Sequence, residues 1–355
     1  MMRRRYFNAA LVGIGSAMAS LTKNSWAFVN PLDQAAMPSL LATRSIIHAV
    51  TTAGERIVAV GVRGHIVTSD DSGKTWKQSK VPVSSDLLAV SFATSAKGWV
   101  VGHGGVVLHS DDGGLTWTKQ FDGRQAGALS VKYFERLLAD GKPVEQLLLR
   151  EKNLIVEGET QALLDVYFES ETHGFAVGTF NRIYRTIDGG KNWIPWMDRI
   201  ENPKDLHFYA IKGGRHGIYL AGEQGSVWRY DGMRERFLAI PTPYSGTLFG
   251  LVISGARSVL VFGMRGSLFA TSDAGATWAK IATNSPAGIT SGAVLSDGSV
   301  VLVNQAGGIN LSRDGGKSFT AVNPAKVMPY FGITPMGERQ VALAGPEGIR
   351  IELLP

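Results

Sequence analysis

One eight-residue pattern, close to Ser-x-Asp-x-Gly-x-Thr-Trp, recurs along this chain of 355 residues. It reads SDDSGKTW at 69–76, SDDGGLTW at 110–117, TIDGGKNW at 186–193, TSDAGATW at 271–278 and SRDGGKSF at 312–319. A worn copy, RYDGMRERF, ends at Phe237. The closing aromatics (Trp76, Trp117, Trp193, Phe237, Trp278 and Phe319) are 41, 76, 44, 41 and 41 residues apart. A fixed period of this length marks a series of like structural units, each built once per repeat.

A second marker keeps the same period. Tight-turn sequences precede the boxes: GVRG (61–64), GHGG (102–105), GTFN (178–181), GEQG (222–225), GMRG (263–266), NQAG (304–307) and GPEG (345–348). Their starts are 41, 76, 44, 41, 41 and 41 residues apart, so there are seven units, one interval carrying an insertion of about 35 residues. Within a unit, runs such as LLAVSF (87–92), GWVVG (98–102) and VVLHS (106–110) are β-branched or aromatic and bounded by turn residues. The 43 glycines, about 12% of the chain against a usual 7% or so, fit many tight turns. Four short strands per unit make a propeller blade. The chain is therefore expected to be all-β, a seven-bladed β-propeller over 28–355 with Asp-box hairpins.

The last unit stops at IRIELLP without a box. The segment PLDQAAMPSLLATRSI (31–46) is expected to supply its missing outer strand and close the ring. Crowding at the axis predicts small residues on the innermost strands, and Ala89, Ala210, Gly250, Ser291 and Gly332 fit. Asp165 is the exception, either bonded within the channel or a functional acid.

The insertion, about 122–158, is read as a helical hairpin. Val131, Phe134, Leu137 and Leu138 form one apolar stripe, GKP (141–143) a stop, and Val144, Leu147, Leu148 and Leu154 a second stripe. It is expected to project from the connection between blades two and three, covering an outer edge or docking a partner.

Each box has a local explanation. Asp71, Asp112, Asp188, Asp273 and Asp314 can accept hydrogen bonds from turn amides two residues on. Gly73, Gly114, Gly190, Gly275 and Gly316 can take positive φ. Trp76, Trp117, Trp193, Trp278 and Phe319 pack each hairpin onto its blade. The boxes lack the bidentate Glu of a Ca²⁺ loop, and no His spacing suggests a metal, so no metal or cofactor is expected.

The first 27 residues read as an export signal: Arg3, Arg4 and Arg5, then a short apolar run, then SWA with cleavage after Ala27. RRYF (4–7) and Lys23 also fit the twin-arginine route, so Sec and Tat both stay open. The whole chain carries a net charge of +6, but removing the four basic residues of 1–27 leaves 32 basic and 30 acidic residues, a net of +2. That argues against nucleic-acid binding. The chain has no cysteine, so disulfides, thiolate chemistry and a lipidation site are all excluded. The expectation is a periplasmic monomer that does not insert into the membrane after signal cleavage.

The boxes resemble BNR/Asp-box repeats. The finer pattern, FVNPLD after the signal, then AVGVRGHIVTSDDSGKTW, GWVVGHGGVVLHSDDGGLTW and GFAVGTFNRIYRTIDGGKNW, resembles the photosystem II stability/assembly factor family. The resemblance spans nearly the whole mature chain and is weakest in blade four. It implies a non-catalytic scaffold that binds a membrane protein or envelope complex through an Arg-containing propeller surface. Relatives outside photosynthesis resemble accessory proteins for envelope machinery such as RND-type exporters.

An exported Asp-box glycoside hydrolase, sialidase-like, or a carbohydrate-binding propeller is the alternative. The arginine motif of sialidases is absent, TRSI (43–46) being the nearest match. Paired-carboxylate hydrolysis needs two acids facing one sugar. The candidates Asp165, Glu223 and Glu347 fall on blades three, four and seven. What varies between blades is the middle of each turn: Arg63, His103, Phe180, Glu223 with Gln224, Arg265 and Glu347. Arg63, His103 and Arg265, with Arg182 and Arg185 of blade three, are the candidate partner-binding residues, either contact groups for carboxylates and carbonyls or solvated turn residues.

Overall fold

The computed structural model describes residues 29–355 except positions 159 and 284. The expected signal and its cleavage site lie outside the described residues. Among these residues the chain forms seven antiparallel sheets in sequence order, six of four strands and the last of three. Blade one comprises Ile47–Ala53, Arg56–Gly61, Ile66–Ser69 and Lys77–Gln78, running outward from the axis. Each innermost strand touches the next, and that of blade seven, Gly332–Met336, touches that of blade one, so the ring is closed. This is a seven-bladed propeller.

Each blade is sandwiched between two others, so its second strand is buried on both faces. Gly98–Gly102 and Val300–Asn304 are buried at every residue. Such strands carry continuous apolar runs instead of alternation. Rings also cross the seams: Trp99 of blade two stacks on Phe168 of blade three with centroids 3.5 Å apart, and its Nε1 donates to the Gly189 carbonyl at 3.2 Å. The first turn residue is glycine in six blades because the chain entering each blade passes directly beneath it. A Cβ at Gly61, Gly102 or Gly263 would fall inside the contact shell of the Ile46, Asp86 or Thr247 carbonyl. In blade six Asn304 takes this place, and its Oδ1 accepts from the amides of Ala306 (2.9 Å) and Gly308 (2.8 Å).

The small residues expected near the axis lie on innermost strands. Asp165 is a structural stitch: its Oδ2 accepts from the Ile211 amide at 2.9 Å and Lys212 Nζ at 2.7 Å, joining blade three to blade four. Six innermost strands share a register shift that inserts one extra residue: His48, Leu88, Leu164, Tyr209, Phe249 or Thr290. These bulges take one side chain per blade out of the ladder pattern.

Three details differ from expectation. First, 31–46 does not form the outer strand of blade seven. It is a strap with two 3-10 turns, Pro31–Asp33 and Ala42–Arg44. Asp33 is held by Arg124 (2.7 Å) and Lys119 (3.1 Å), the Ala36 amide donates to Val81 (3.0 Å), and the Thr43 carbonyl backs onto Gly348. The strap thus crosses blade one from blade two to blade seven. Pro31 and Pro38 lack the donors a ladder needs, which disfavours a strand here. Second, the helical hairpin, α1 (Gly123–Ala139) and α2 (Glu145–Glu157), does not project but lies against the outer part of blade three, the edge-covering role of the two expected for it. Its Phe134, Val144 and Leu148 share a core with Phe175, Trp196 and Met197. An Asp122/Gln125 capping box starts α1, and Gly158 in left-handed conformation ends α2.

Third, the box carboxylates reach further than expected. Asp71 Oδ1 accepts from the Thr75 amide (2.8 Å) and Oδ2 from the Thr75 hydroxyl (2.6 Å), four residues on instead of two. Ser69 Oγ donates to Asp71 (2.8 Å) and accepts from the Gly73 amide (2.9 Å), with Gly73 at φ 85°. The same set recurs around Asp112, Asp273 and Asp314, and around Asp188 with the Asn192 side-chain amide in place of the hydroxyl. The box aromatics wedge between blades: Trp117 packs with Val58 and Val60 of blade one as well as Val100 of its own. The hydroxyl of Thr75 leads the bonds that pull the Asp71 carboxyl from 3.8 down to about 2. A depressed carboxylate stabilises the fold above its unfolded value and loses that contribution as pH falls through the folded one. An Asp71→Asn variant should therefore be less stable at neutral pH, yet lose less stability between pH 4 and pH 2, roughly, than the parent. Parallel losses in a tryptophan-fluorescence titration would refute this.

Candidate functional site

The turns between second and third strands form one rim. Arg63 (φ 56°), Gly104 (φ 72°), Phe180 (φ 50°), Gln224 (φ 53°) and Arg265 (φ 59°) hold the same left-handed position in blades one to five. Glycine is the unstrained choice there, and an L-residue costs about 1–2 kcal/mol. Folding alone gives no reason for arginine at two of these tips. The surroundings fix the backbone: the Arg63 amide donates to Asp86 Oδ1 at 2.8 Å, and the His103 amide donates to the Asp86 carbonyl at 2.9 Å.

Asp86 thereby brings the turns of blades one and two together, with Arg63 and His103 both exposed beside it. Arg265 is also exposed, but on blade five, part-way round the ring. Neither Arg63 nor Arg265 has a carboxylate partner among the described residues. Burial, followed by the Arg63 charge, holds the nearby His65 below its usual pKa, which keeps it neutral.

Arg182 and Arg185 lie elsewhere, which corrects their assignment to the binding surface. Arg182 is buried at 4% exposure, and its guanidinium donates to Glu151 of α2 at 2.6 Å. Glu151 also accepts from Arg150 at 3.3 Å, and Arg150 is paired with Asp205. This chain of charges latches the hairpin to the propeller. Arg185 sits over the Trp196 ring (4.8 Å to its centroid) and is paired with Glu235 at 3.1 Å on the outer side of blade three. A guanidinium on an aromatic face with a carboxylate at its edge is already satisfied.

The rim also brings Phe180, one of the variable turn residues, together with aromatic side chains that the sequence did not point to. Phe180, 49% exposed, meets His207 with ring centroids 4.4 Å apart. His207 leads to Tyr209 (6.3 Å) and Tyr209 to Phe249 (5.9 Å). Across the ring, His48 meets Phe331 at 6.3 Å. Tyr209, Phe249 and His48 are the extra residues of the bulges, so an aromatic track runs inward from blade three through blade five. Its sequence signal was an aromatic or histidine at the second residue of an innermost strand, a place that reads as ordinary strand composition.

The carboxylates considered for hydrolysis are not paired with one another. Asp165 is bonded to blade four as described above. Glu223 Oε2 accepts from the His207 amide at 2.9 Å. Glu347 binds Lys326 (3.1 Å) and Arg350 (2.7 Å). A cavity of about 200 Å³ lies between the hairpin and blades two and three, but its charged lining residues, Arg124, Glu151 and Arg182, are all held in ion pairs.

A family model described as photosynthesis system II assembly factor YCF48 matches residues 38–128 and 150–278. The photosystem II assembly lipoprotein Ycf48 of Synechococcus sp. (strain CC9902) is 28% identical over 175 residues, 47% of this chain and 51% of the relative. The chain thus spans about half the length of the curated relative it matches. Among solved structures, a YCF48 bound to a D1 peptide superposes with a TM-score of 0.62 at 18% identity, covering 88% of this chain and 94% of the other. The YCF48 of Cyanidioschyzon merolae gives 0.64 at 18% identity, covering 90% and 98%. At that identity the superpositions establish the shared fold. The family matches name assembly factors, and no enzyme is among them.

Proposed function

Since this chain belongs to the photosynthesis system II assembly factor YCF48 family, we propose that it is a non-catalytic periplasmic scaffold that binds a segment of a membrane protein across the glycine-turn rim. The observation that carries this reading is the strained, exposed and unpaired state of Arg63 and Arg265, which cost backbone energy and satisfy nothing within the fold. Strain kept at such positions is a mark of function. Guanidinium groups there suit carboxylates or backbone carbonyls of a partner, His103 stands beside Arg63, and the aromatic track offers apolar contact between them. The solved YCF48 holding a D1 peptide supports a peptide-like ligand for the family. With an export signal and no lipidation cysteine, the partner we favour is an envelope complex such as an RND-type exporter.

Affinity capture of the tagged mature protein from its native host, with mass spectrometry of co-purified membrane proteins, tests the reading. Each lost charge-assisted bond is worth about 1.5–3 kcal/mol, so an Arg63→Ala/Arg265→Ala variant should recover the partner at least about tenfold less well. An Arg63→Gly/Arg265→Gly variant should lose binding equally while keeping or raising its thermal stability, because glycine relieves the left-handed turns. Wild-type recovery by both variants would remove the rim from consideration. Cleavage of aryl glycosides, abolished by Asp165→Asn, would replace the scaffold reading altogether.

A further inference from the structure

Among the described residues, the fourth strand that covers the outer edge in six blades has no counterpart in blade seven, and the strap does not replace it. Its last strand, Gly348–Leu353, therefore pairs on one side only, with Gln340–Gly345. The hairpin closes at Gly345 opposite Gly348, and the Leu354 amide donates to the Arg339 carbonyl at 2.7 Å. Antiparallel pairing alternates, so Gly348, Arg350 and Glu352 direct their backbone groups inward. Ile349, Ile351 and Leu353 direct theirs to the open edge. Unprotected edges of this kind are templates for strand addition.

We propose that this edge pairs antiparallel with the same edge of a second copy, centred on Ile351. The strand GIRIEL is self-complementary in that register. Ile351 faces itself, Ile349 faces Leu353, and Arg350 faces Glu352 twice across the two-fold axis. All the outward backbone groups then meet, giving about six hydrogen bonds. Moving the centre by one residue sets Arg350 against Arg350 or Glu352 against Glu352, which like-charge repulsion disfavours. Between the strap and blade one lies a groove of about 500 Å³, lined in part by Leu40, Ala42, Val67 and Trp76. Trp76 packs with Ile349 and Ile351, so the incoming strand's Ile349, Ile351 and Leu353 project to the groove's side of the sheet. Leu353, 64% exposed, and the fully exposed Leu40 would be covered.

One strand pair buries little surface, so the dimer is of the weak, concentration-dependent class, unlike the monomer the sequence suggested. Sedimentation equilibrium of the mature chain from micromolar to millimolar concentration should show mass rising toward twice that of the monomer. Glu352→Arg and Arg350→Glu each place like charges opposite one another, and each should weaken self-association about tenfold or more. An equimolar mixture of the two restores Arg–Glu facing at both places and should associate as well as the parent. That rescue separates edge pairing from a folding defect, and thermal melts of each variant check the fold. A parent that stays monomeric throughout overturns the proposal, as do single variants that dimerise normally or a mixture that fails to regain association. A foreign strand as the edge's natural occupant would appear as the first of these outcomes.

Discussion

Glu151→Ala should lower the unfolding free energy by about 3–5 kcal/mol, the usual cost of leaving one partner of a buried ion pair uncompensated. Glu151 and Arg182 have side chains only 1% and 5% exposed, and neither can turn to water without moving α2 off blade three. Arg182 would keep its charge in an apolar seam beside Tyr184 and lose its carboxylate bond. Replacing both groups with apolar residues, as in Glu151→Leu/Arg182→Met, removes the stranded charge and should return most of the loss. Denaturant midpoints of the three proteins, followed by tryptophan fluorescence, decide the matter. A single variant as stable as the parent, or a double variant no better than the single, would show that the latch does not hold the hairpin.

Trp99→Ala should cost a similar amount, about 3–5 kcal/mol, for a different reason. The ring fills the seam between blades two and three, stacked on Phe168 at 3.5 Å and in contact with His109 at 4.9 Å. Truncation leaves a cavity between two rigid sheets that cannot close on it. Trp99→Phe keeps an aromatic on Phe168 and should lose much less. The Gly189 carbonyl would not be orphaned, since Gln120 Nε2 also donates to it at 3.0 Å. Equal losses for the two variants would mean that the indole nitrogen, and not the stack, carries the energy.

The blades were legible because their information is local and repeated. Box, turn and strand runs each fall within a few residues, and two markers with one period fix the count. The helices were legible for the same reason, from their apolar stripes. Contacts that join distant segments were not. Nothing near Arg182 says that Glu151, 31 residues earlier, folds back over it, although a carboxylate three residues after Leu148 lies in the buried stripe of α2 and calls for a cation. The strap was misread because a topological vacancy beside it made a strand the economical choice, while Pro31 and Pro38 argued locally against one. Among the rim residues, Arg63, His103 and Arg265 could be placed from turn sequence alone. The aromatic track could not, because a one-residue bulge changes where a side chain stands without changing what the strand looks like.

The Asp-box closes its polar bonds within eight residues, from the Ser69 hydroxyl to the Trp76 ring. A device so self-sufficient can decay in one copy without the others noticing. Blade four shows the outcome: the eight letters have dissolved, but Asp231 still accepts from the amides of Met233 (2.9 Å) and Arg234 (3.1 Å), and Phe237 is still fully buried. What persists is the carboxylate that turns the chain and the aromatic that fills the seam. The hydroxyl and glycine between them are dispensable once a looser turn will serve. Repeats of this kind can therefore drift apart in sequence far faster than in architecture, each blade at its own pace.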